Sequence, residues 1–442
     1  MSNGTTPHNP AEGRVIKAKD AKSSFGRRGW LFIIAMMCCC FIAGTAGTDG
    51  LNTIVTQFVD TYGWSRATLT TASSIGGFVG AGVCVVLGLI INKIGAQKVL
   101  LIVIAVLTAA VFAWGFVTTP AAYTVVVLLI NGFTYGVVLC FGILAANWFP
   151  TKKGLAIGWI TMGYNVATVS ANWILTFGWK HFGFHGGFNI VAICGVLTFI
   201  FVLLAARENP EDVGANPDND PDMTMEQALE LRRQGEEYMK TSPWTVRKLL
   251  TCKEVWLCGV IFGIVQMMTV GCISQLVPTV TSRGYSQELA LACMTLAGCL
   301  GFFGSYITGW IDTKFGTKKA TFFMLLWEIA TVVVFVIPLG NWTVFLAAVM
   351  LGTILGGSNN ICTSMVSHIF GRYDQRKANT VVVPIYTFVR SIGYGLVGIL
   401  AERTGGYNIP WLVLAGLSFV AIFLTAALKT ECIGRAHNVN NA

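Results

Sequence analysis

The sequence predicts an all-α membrane protein: twelve transmembrane helices in two six-helix pseudo-repeat bundles. Three observations predict it. Hydrophobic residues make up 54% of the 442 residues and charged residues only 12%, whereas soluble domains carry about 25% charged residues. Apolar runs as long as the roughly 20 residues that a bilayer-spanning helix needs recur from end to end. A basic, glycine-containing turn occurs twice, as Gly88-Leu-Ile-Ile-Asn-Lys-Ile-Gly-Ala-Gln-Lys98 and Gly309-Trp-Ile-Asp-Thr-Lys-Phe-Gly-Thr-Lys-Lys319. The offset, 221 residues, is half the chain, and it also relates Gly63-Trp64-Ser65 to Gly284-Tyr285-Ser286, Gly136 to Gly357 and Phe149 to Phe370. One offset shared by four landmarks marks an internal repeat.

Residues 1–28 are polar and basic, with Arg14, Lys17, Lys19, Lys22, Arg27 and Arg28, and read as a tail. Apolar runs follow at about 29–57, 70–91, 99–118, 122–147, 154–177 and 187–206, a first bundle over residues 29–206. The first run follows a basic tail as a secretory signal does, but it lacks a small-residue cleavage site and is kept as a true span. Residues 207–253 are polar. Thr224 and Gln227 have capping-box spacing, which predicts a helix start. Beyond Ser242-Pro243, the apolar residues Trp244, Val246, Leu249 and Leu250 alternate with Arg247, Lys248 and Lys253, a pattern suited to a helix lying on a membrane surface. Six more runs, at about 254–277, 289–311, 319–338, 343–367, 378–401 and 410–428, form a second bundle over residues 254–428, followed by a tail at 429–442.

Six plus six spans place both termini on one side. Of the 30 lysines and arginines, all but Arg66, Lys180, Arg283, Arg403 and Arg390 fall in the tails, the linker and the loops of that side. The positive-inside rule therefore places both termini in the cytosol of a cell-membrane protein. The same rule accounts for the net charge of +9 without nucleic acid as a partner. The 13 cysteines sit mostly in apolar runs and show no metal-ligand spacing, so neither a metal nor a cofactor is expected. No Walker-type loop, G-x-S-x-G or H-E-x-x-H is present, so the chain does not read as an enzyme.

The two basic turns, the twelve spans and the long central loop resemble the major facilitator superfamily, whose turn reads G-x-x-x-D-[RK]-x-G-x-[RK]-[RK]. Gly88, Lys93, Gly95 and Lys98 match in the first copy; Gly309, Lys314, Gly316, Lys318 and Lys319 match in the second. The resemblance implies a cytosolic latch between the two halves at Gly88, Lys93, Gly95, Gly309, Lys314 and Gly316. Asn92 and Thr313 stand where the family carries an acid, and Asp312 sits one residue early, which removes the carboxylate of a salt-bridged latch. Asn147-Trp-Phe-Pro-Thr-Lys-Lys-Gly-Leu-Ala-Ile-Gly158, with Gly163-Tyr164, Gly63-Trp-Ser-Arg66 and His368-Ile-Phe-Gly371, is similar to the oxalate:formate antiporter and monocarboxylate transporter branch.

An ionisable residue within a span is a functional candidate by default. Arg390 lies about 12 residues into the eleventh run, about 18 Å deep at 1.5 Å per residue, near the midplane where transporter sites lie. Its repeat partner is Val169, so the charge exists in one half only. Either it binds a substrate anion or it pairs with a carboxylate. In the resembled antiporter, basic groups in spans 8 and 11 grip two carboxylates; here span 8 has none and the span 11 position falls on Tyr386, so one cation points to a monoanion. Asp49, toward the outer end of span 1, and Glu328, in span 9, are candidates for proton coupling or gating. Asn165, Thr168 and Asn172 share one helix face. With Tyr164, Asn359, Asn360, Gln266 and Asn52 they are candidate cavity residues, or else interhelical hydrogen bonds.

These readings converge on a monomeric secondary transporter for an organic monoanion, a carboxylate, working by alternating access through proton coupling or anion exchange. The rival readings are an efflux transporter for drug-like or other metabolites, and a membrane sensor or scaffold without transport.

Overall fold

The computed structural model describes residues 25–47, 50–337 and 340–429; the side chains of a few further residues, Asn52 among them, also lie outside the described set. Asp49 and most of both predicted tails are therefore outside the described residues. The helices are α1 (Gly26–Gly47), α2 (Leu51–Tyr62), α3 (Arg66–Ile94), α4 (Ala96–Trp114), α5 (Pro120–Trp148), α6 (Lys153–Phe182) and α7 (Phe184–Ala205) in the first half. Linker helices α8 (Met225–Thr241) and α9 (Val246–Thr251) follow, then α10 (Lys253–Ser282), α11 (Gln287–Phe315), α12 (Thr317–Val336), α13 (Asn341–Thr404) and α14 (Asn408–Ala427). Helix α13 is two helices joined at Gly371, whose φ of 75° and ψ of −178° only glycine adopts without strain. They are called α13a (341–370) and α13b (372–404) below.

The repeat is visible in these bounds. Moving α3 by 221 residues lands on α11 at both ends. The same shift carries α4 onto α12, α5 onto α13a, α6 onto α13b and α7 onto α14, to within about three residues. The first span also follows the repeat: α10 corresponds to α1 and α2, between which residues 48 and 49 lie outside the described residues.

Among the described residues, ten helices are long and apolar enough to cross a bilayer. Helices α6 and α13b are as long but more polar, and they carry Asn165, Thr168, Asn172, Tyr386 and Arg390. With them the fold has its twelve spans. Outward faces are apolar, as at Val86, Leu204, Phe303 and Phe423, and suit lipid. Inward faces meet through small residues, because helices in lipid gain their packing from close backbone approach. A Cβ added at Gly309 would lie 2.6 Å from the Gly154 carbonyl oxygen, and one at Gly88 would lie 2.9 Å from the Thr380 Cα.

The linker occupies the face that carries Phe25, Lys429 and the two basic turns, called the linker face here. Thr224 caps α8, accepting from the Gln227 amide at 3.3 Å, while Gln227 Oε1 accepts from the Thr224 amide at 3.1 Å. This is the capping box the spacing predicts. Trp244 is buried against Phe370, ring centroids 5.4 Å apart, so it faces protein, while Val246 and Leu250 on α9 stay exposed.

Candidate substrate-binding site and gate

Arg390 of α13b projects from the second half toward the first. Its guanidinium lies 5.2 Å from the ring centroid of Tyr135 on α5, a cation–π distance. Its charge also acts on the hydroxyls of Tyr164, on α6, and Tyr386, one helical turn back on α13b. One tyrosine ring of the first half thus meets the cation directly, and two further tyrosine hydroxyls lie within reach of its charge. Tyr164 faces the thiol of Cys40 on α1. On the second half's side, Gln266 of α10 donates to Asn359 Oδ1 at 2.7 Å and approaches the Cys362 sulfur at 4.0 Å, and Cys362 in turn feels the Arg390 charge. Gln266 and Asn359 are therefore in direct contact, and Tyr386 and Tyr164 lie within reach of the Arg390 charge. Tyr135 and Cys362 join them although the sequence reading did not single them out. A polar aromatic ring midway along span 4, directly before the repeated Gly136, was the available signal for Tyr135.

Asn165 and Asn360 do a different job. Both are buried. Asn165 Nδ2 donates to Ser305 Oγ at 3.0 Å, Thr161 Oγ1 donates to Asn360 Oδ1 at 2.5 Å, and Asn360 Nδ2 donates to the Ser305 carbonyl at 2.7 Å. Since Thr161 and Asn165 belong to α6 and the others to α11 and α13a, this network joins the two halves. Thr168 bonds back to the Tyr164 carbonyl at 3.1 Å and packs beneath Gly298 of α11. Asn172 accepts from Thr53 of α2 at 2.5 Å. Asn52's side chain and Asp49 lie outside the described residues. Glu328 is fully buried between α12 and α14, where its Oε2 accepts from Ser418 at 2.8 Å.

The halves meet along two repeat-related seams, α3 with α13b and α6 with α11. Gly77 approaches Ser391, Gly88 approaches Thr380, and Asn92 Nδ2 donates to Thr380 Oγ1 at 3.3 Å. In the other seam, Gly154 meets Asp312 and Thr313, and Gly158 meets Ser305 and Gly309. These contacts run from the linker face to mid-depth. The face of α6 that carries Thr161, Asn165, Thr168 and Asn172 continues to Thr176, Trp179 and Lys180. With Thr53, Thr56 and Gln57 of α2, those residues line an open cleft of about 610 Å³ at the distal end.

The basic turns sit at the linker ends of the seams. Lys93 is exposed, and Lys314 lies over the rings of Trp310 and Phe315 on its own helix, at 4.5 and 5.3 Å. A carboxylate from elsewhere in the chain reaches the first turn. Glu208, just beyond α7, accepts from the Gln97 amide at 2.8 Å, two residues after Gly95. Gly95 has φ +92°, and a Cβ there would lie 3.0 Å from that carboxylate. The other carboxylate oxygen pairs with Arg376 at the start of α13b. An ion pair between Arg376 and Glu208 therefore joins the two halves beside the first basic turn, with an acid about 110 residues downstream of that turn.

The profile of the Major Facilitator Superfamily matches residues 3–144 and 139–339. No curated protein matches the chain. Among solved structures, the chain is similar to the proton:xylose symporter XylE bound to 6-bromo-6-deoxy-D-glucose. The TM-score is 0.72 at 12% identity, over 92% of this chain and 99% of that one. It is also similar to the transporter FucP in the outward conformation, at TM-score 0.65 and 12% identity over 89% and 98%. A single-residue variant of the Escherichia coli fucose:proton symporter FucP gives 0.63 and 13% over the same shares. At these identities the likeness establishes the fold. With the profile spanning most of the chain, the protein belongs to the major facilitator superfamily.

Proposed function

We propose that this transporter moves an organic monoanion, a carboxylate, across the cell membrane by alternating access, with the linker face in the cytosol. The observation that carries the reading is Arg390, whose guanidinium lies 5.2 Å from the Tyr135 ring of the other half and whose charge reaches the hydroxyls of Tyr164 and Tyr386. A guanidinium in that setting grips a carboxylate with charge-assisted hydrogen bonds, about twice as strong as neutral ones. The tyrosine hydroxyls and the Gln266–Asn359 pair add neutral donors that fix orientation. Contact with both halves lets one bound anion be handed from one side to the other as the seams open and close. Lysine and arginine bias supports the sidedness. Asp49 and Glu328 are the carboxyl candidates for coupling anion movement to protons.

A neutral substrate is the second reading. It is favoured by the position of Arg390 over the Tyr135 ring, which gives the cation a role in joining the halves. Uptake into proteoliposomes separates the two. Arg390→Gln lowers affinity for a monocarboxylate by about 10- to 100-fold, the value of one charge-assisted hydrogen bond or two. Arg390→Lys retains part of it, because the charge survives and the planar fork does not. Unchanged monocarboxylate affinity in a well-folded Arg390→Gln protein refutes the anion reading.

A further inference from the structure

The linker is fastened to two turns that the repeat makes equivalent. Thr151 and Lys152, between α5 and α6, correspond by the 221-residue offset to Arg372 and Tyr373, the first residues of α13b after the bend at Gly371. On the first turn sits Asp218 of the linker. Its carboxylate accepts from the Thr151 amide at 3.0 Å and the Lys152 amide at 3.1 Å, and its carbonyl accepts from Lys152 Nζ at 3.0 Å. On the second turn sits α8. Tyr238 and Ser242 each donate a hydroxyl to the carboxylate of Asp374, both at 2.6 Å, one to each oxygen. Tyr373 donates to the Leu231 carbonyl at 3.2 Å, and its ring lies flush on Gly235, where any Cβ would collide with it.

Asp374 is 2% exposed. A buried carboxylate needs its lone pairs filled, and both hydroxyls described as filling them come from the linker. Two residues further on, at the opposite side of the same helical turn, Arg376 reaches Glu208. The Arg376 carbonyl accepts from Thr380 Oγ1 at 3.2 Å, and Thr380 is the seat of Gly88 and Asn92 in the α3–α13b seam. One short turn therefore carries the linker on one side and the latch on the other.

We propose that Asp374 is a positioning residue of the gate. Held by Tyr238 and Ser242, it fixes the turn that presents Arg376 to Glu208, so that linker helix α8 sets how firmly the linker face stays closed. The latch cannot release without either straining this turn or freeing α8 from it.

Hydrogen–deuterium exchange on the full-length protein in nanodiscs tests this without any substrate, so its outcome is independent of the anion reading. The probes are the amides of residues 88–94 in α3 and 378–383 in α13b, which face each other across the seam. Removing both donors, with Tyr238→Phe and Ser242→Ala together, raises exchange at both segments by about tenfold. That is the shift expected from roughly one charge-assisted hydrogen bond transmitted to the closing equilibrium. Arg376→Gln gives the same signature. Combining it with the linker pair adds little further, because both act through one latch. Should the paired variant fold poorly, Tyr238→Phe alone keeps the ring packing and removes one donor, and it gives a smaller rise of the same pattern. Unchanged exchange at the two segments in a variant whose α8 amides have become exposed overturns the proposal. So does an effect that adds in full to that of Arg376→Gln.

Discussion

Thr161→Val is the sharpest single perturbation of the closed seam. Valine keeps the branched shape and removes only the hydroxyl, which donates at 2.5 Å to Asn360 Oδ1 across the junction of the halves. Asn360 is fully buried and its other polar group is committed to the Ser305 carbonyl at 2.7 Å. The variant thus leaves a buried acceptor without a donor while the seam is closed, at a cost of about 1–3 kcal/mol. When the seam opens, water reaches that oxygen and the cost disappears. The penalty therefore falls on one state, and it moves the equilibrium toward a linker-face-open form by roughly 5- to 150-fold. Thr161→Ser keeps the hydroxyl and serves as the control. Spin labels on noncanonical residues at Lys93 and Lys319, both exposed on the linker face in opposite halves, report the separation by pulsed electron paramagnetic resonance. A longer distance population in Thr161→Val and not in Thr161→Ser is expected. An unchanged distribution in a folded valine variant refutes the assignment of this network to the seam.

Asp218 makes a pH prediction. Burial raises its carboxyl above the ordinary aspartate range, and the amides of Thr151 and Lys152 partly oppose that shift. A raised acid binds its proton more tightly in the folded protein, so stability is greatest at low pH and declines as pH climbs through the raised value. Melting curves between about pH 4 and about pH 7 should show this slope in the wild type and lose it in Asp218→Asn. Asp218→Ala leaves two amides unpaired and costs about 1–3 kcal/mol. Glu328→Gln keeps the acceptor for Ser418 and should match wild type in melting temperature and substrate exchange, whereas Ser418→Ala lowers the melting temperature. Gradient-driven uptake lost in Asp49→Asn, with exchange retained, identifies Asp49 as the coupling carboxyl, and the same loss in Glu328→Gln would assign it there instead. Impermeant labelling of a cysteine at Arg66 or Arg403 from outside cells, with none at Lys153 or Lys318, is expected from the proposed sidedness, and the reverse pattern would invert it.

The spans and the repeat were legible because both are properties of one strand of sequence. A bilayer demands long apolar runs, and a duplicated unit keeps its turn glycines in register, as Gly95 and Gly316 do with φ of +92° and +88°. Arg390 could be picked out because a charge inside an apolar run is visible in sequence, and Tyr386 because it falls on the span 11 position of the resembled branch. The direction in which a residue points around its helix relative to the other half was not legible. Asn165, Thr168 and Asn172 share a face, but only the packed halves show that this face closes a seam in its lower part and lines a cleft in its upper part. Glu208, which joins the first turn to Arg376, was missed for the same reason. The turn's own positions hold Asn92 and Thr313, and Glu208 arrives from the end of α7 through the tertiary fold. Tyr135 was hidden in an apolar run whose composition suits lipid, and it gains meaning only from the guanidinium brought to it by α13b.

The central claim is that a negative charge on the substrate is what Arg390 recognises. Thermal unfolding of the purified protein with short monocarboxylates, each beside its own primary amide, tests it directly. The pair share size and hydrogen-bonding shape and differ in charge. A carboxylate at about 100 times its dissociation constant stabilises the folded state by about 2.7 kcal/mol. The account predicts a rise in melting temperature with a carboxylate and none with its amide, and the loss of that rise in Arg390→Gln. Equal stabilisation by a carboxylate and its amide, or a carboxylate response that survives in Arg390→Gln, would contradict it.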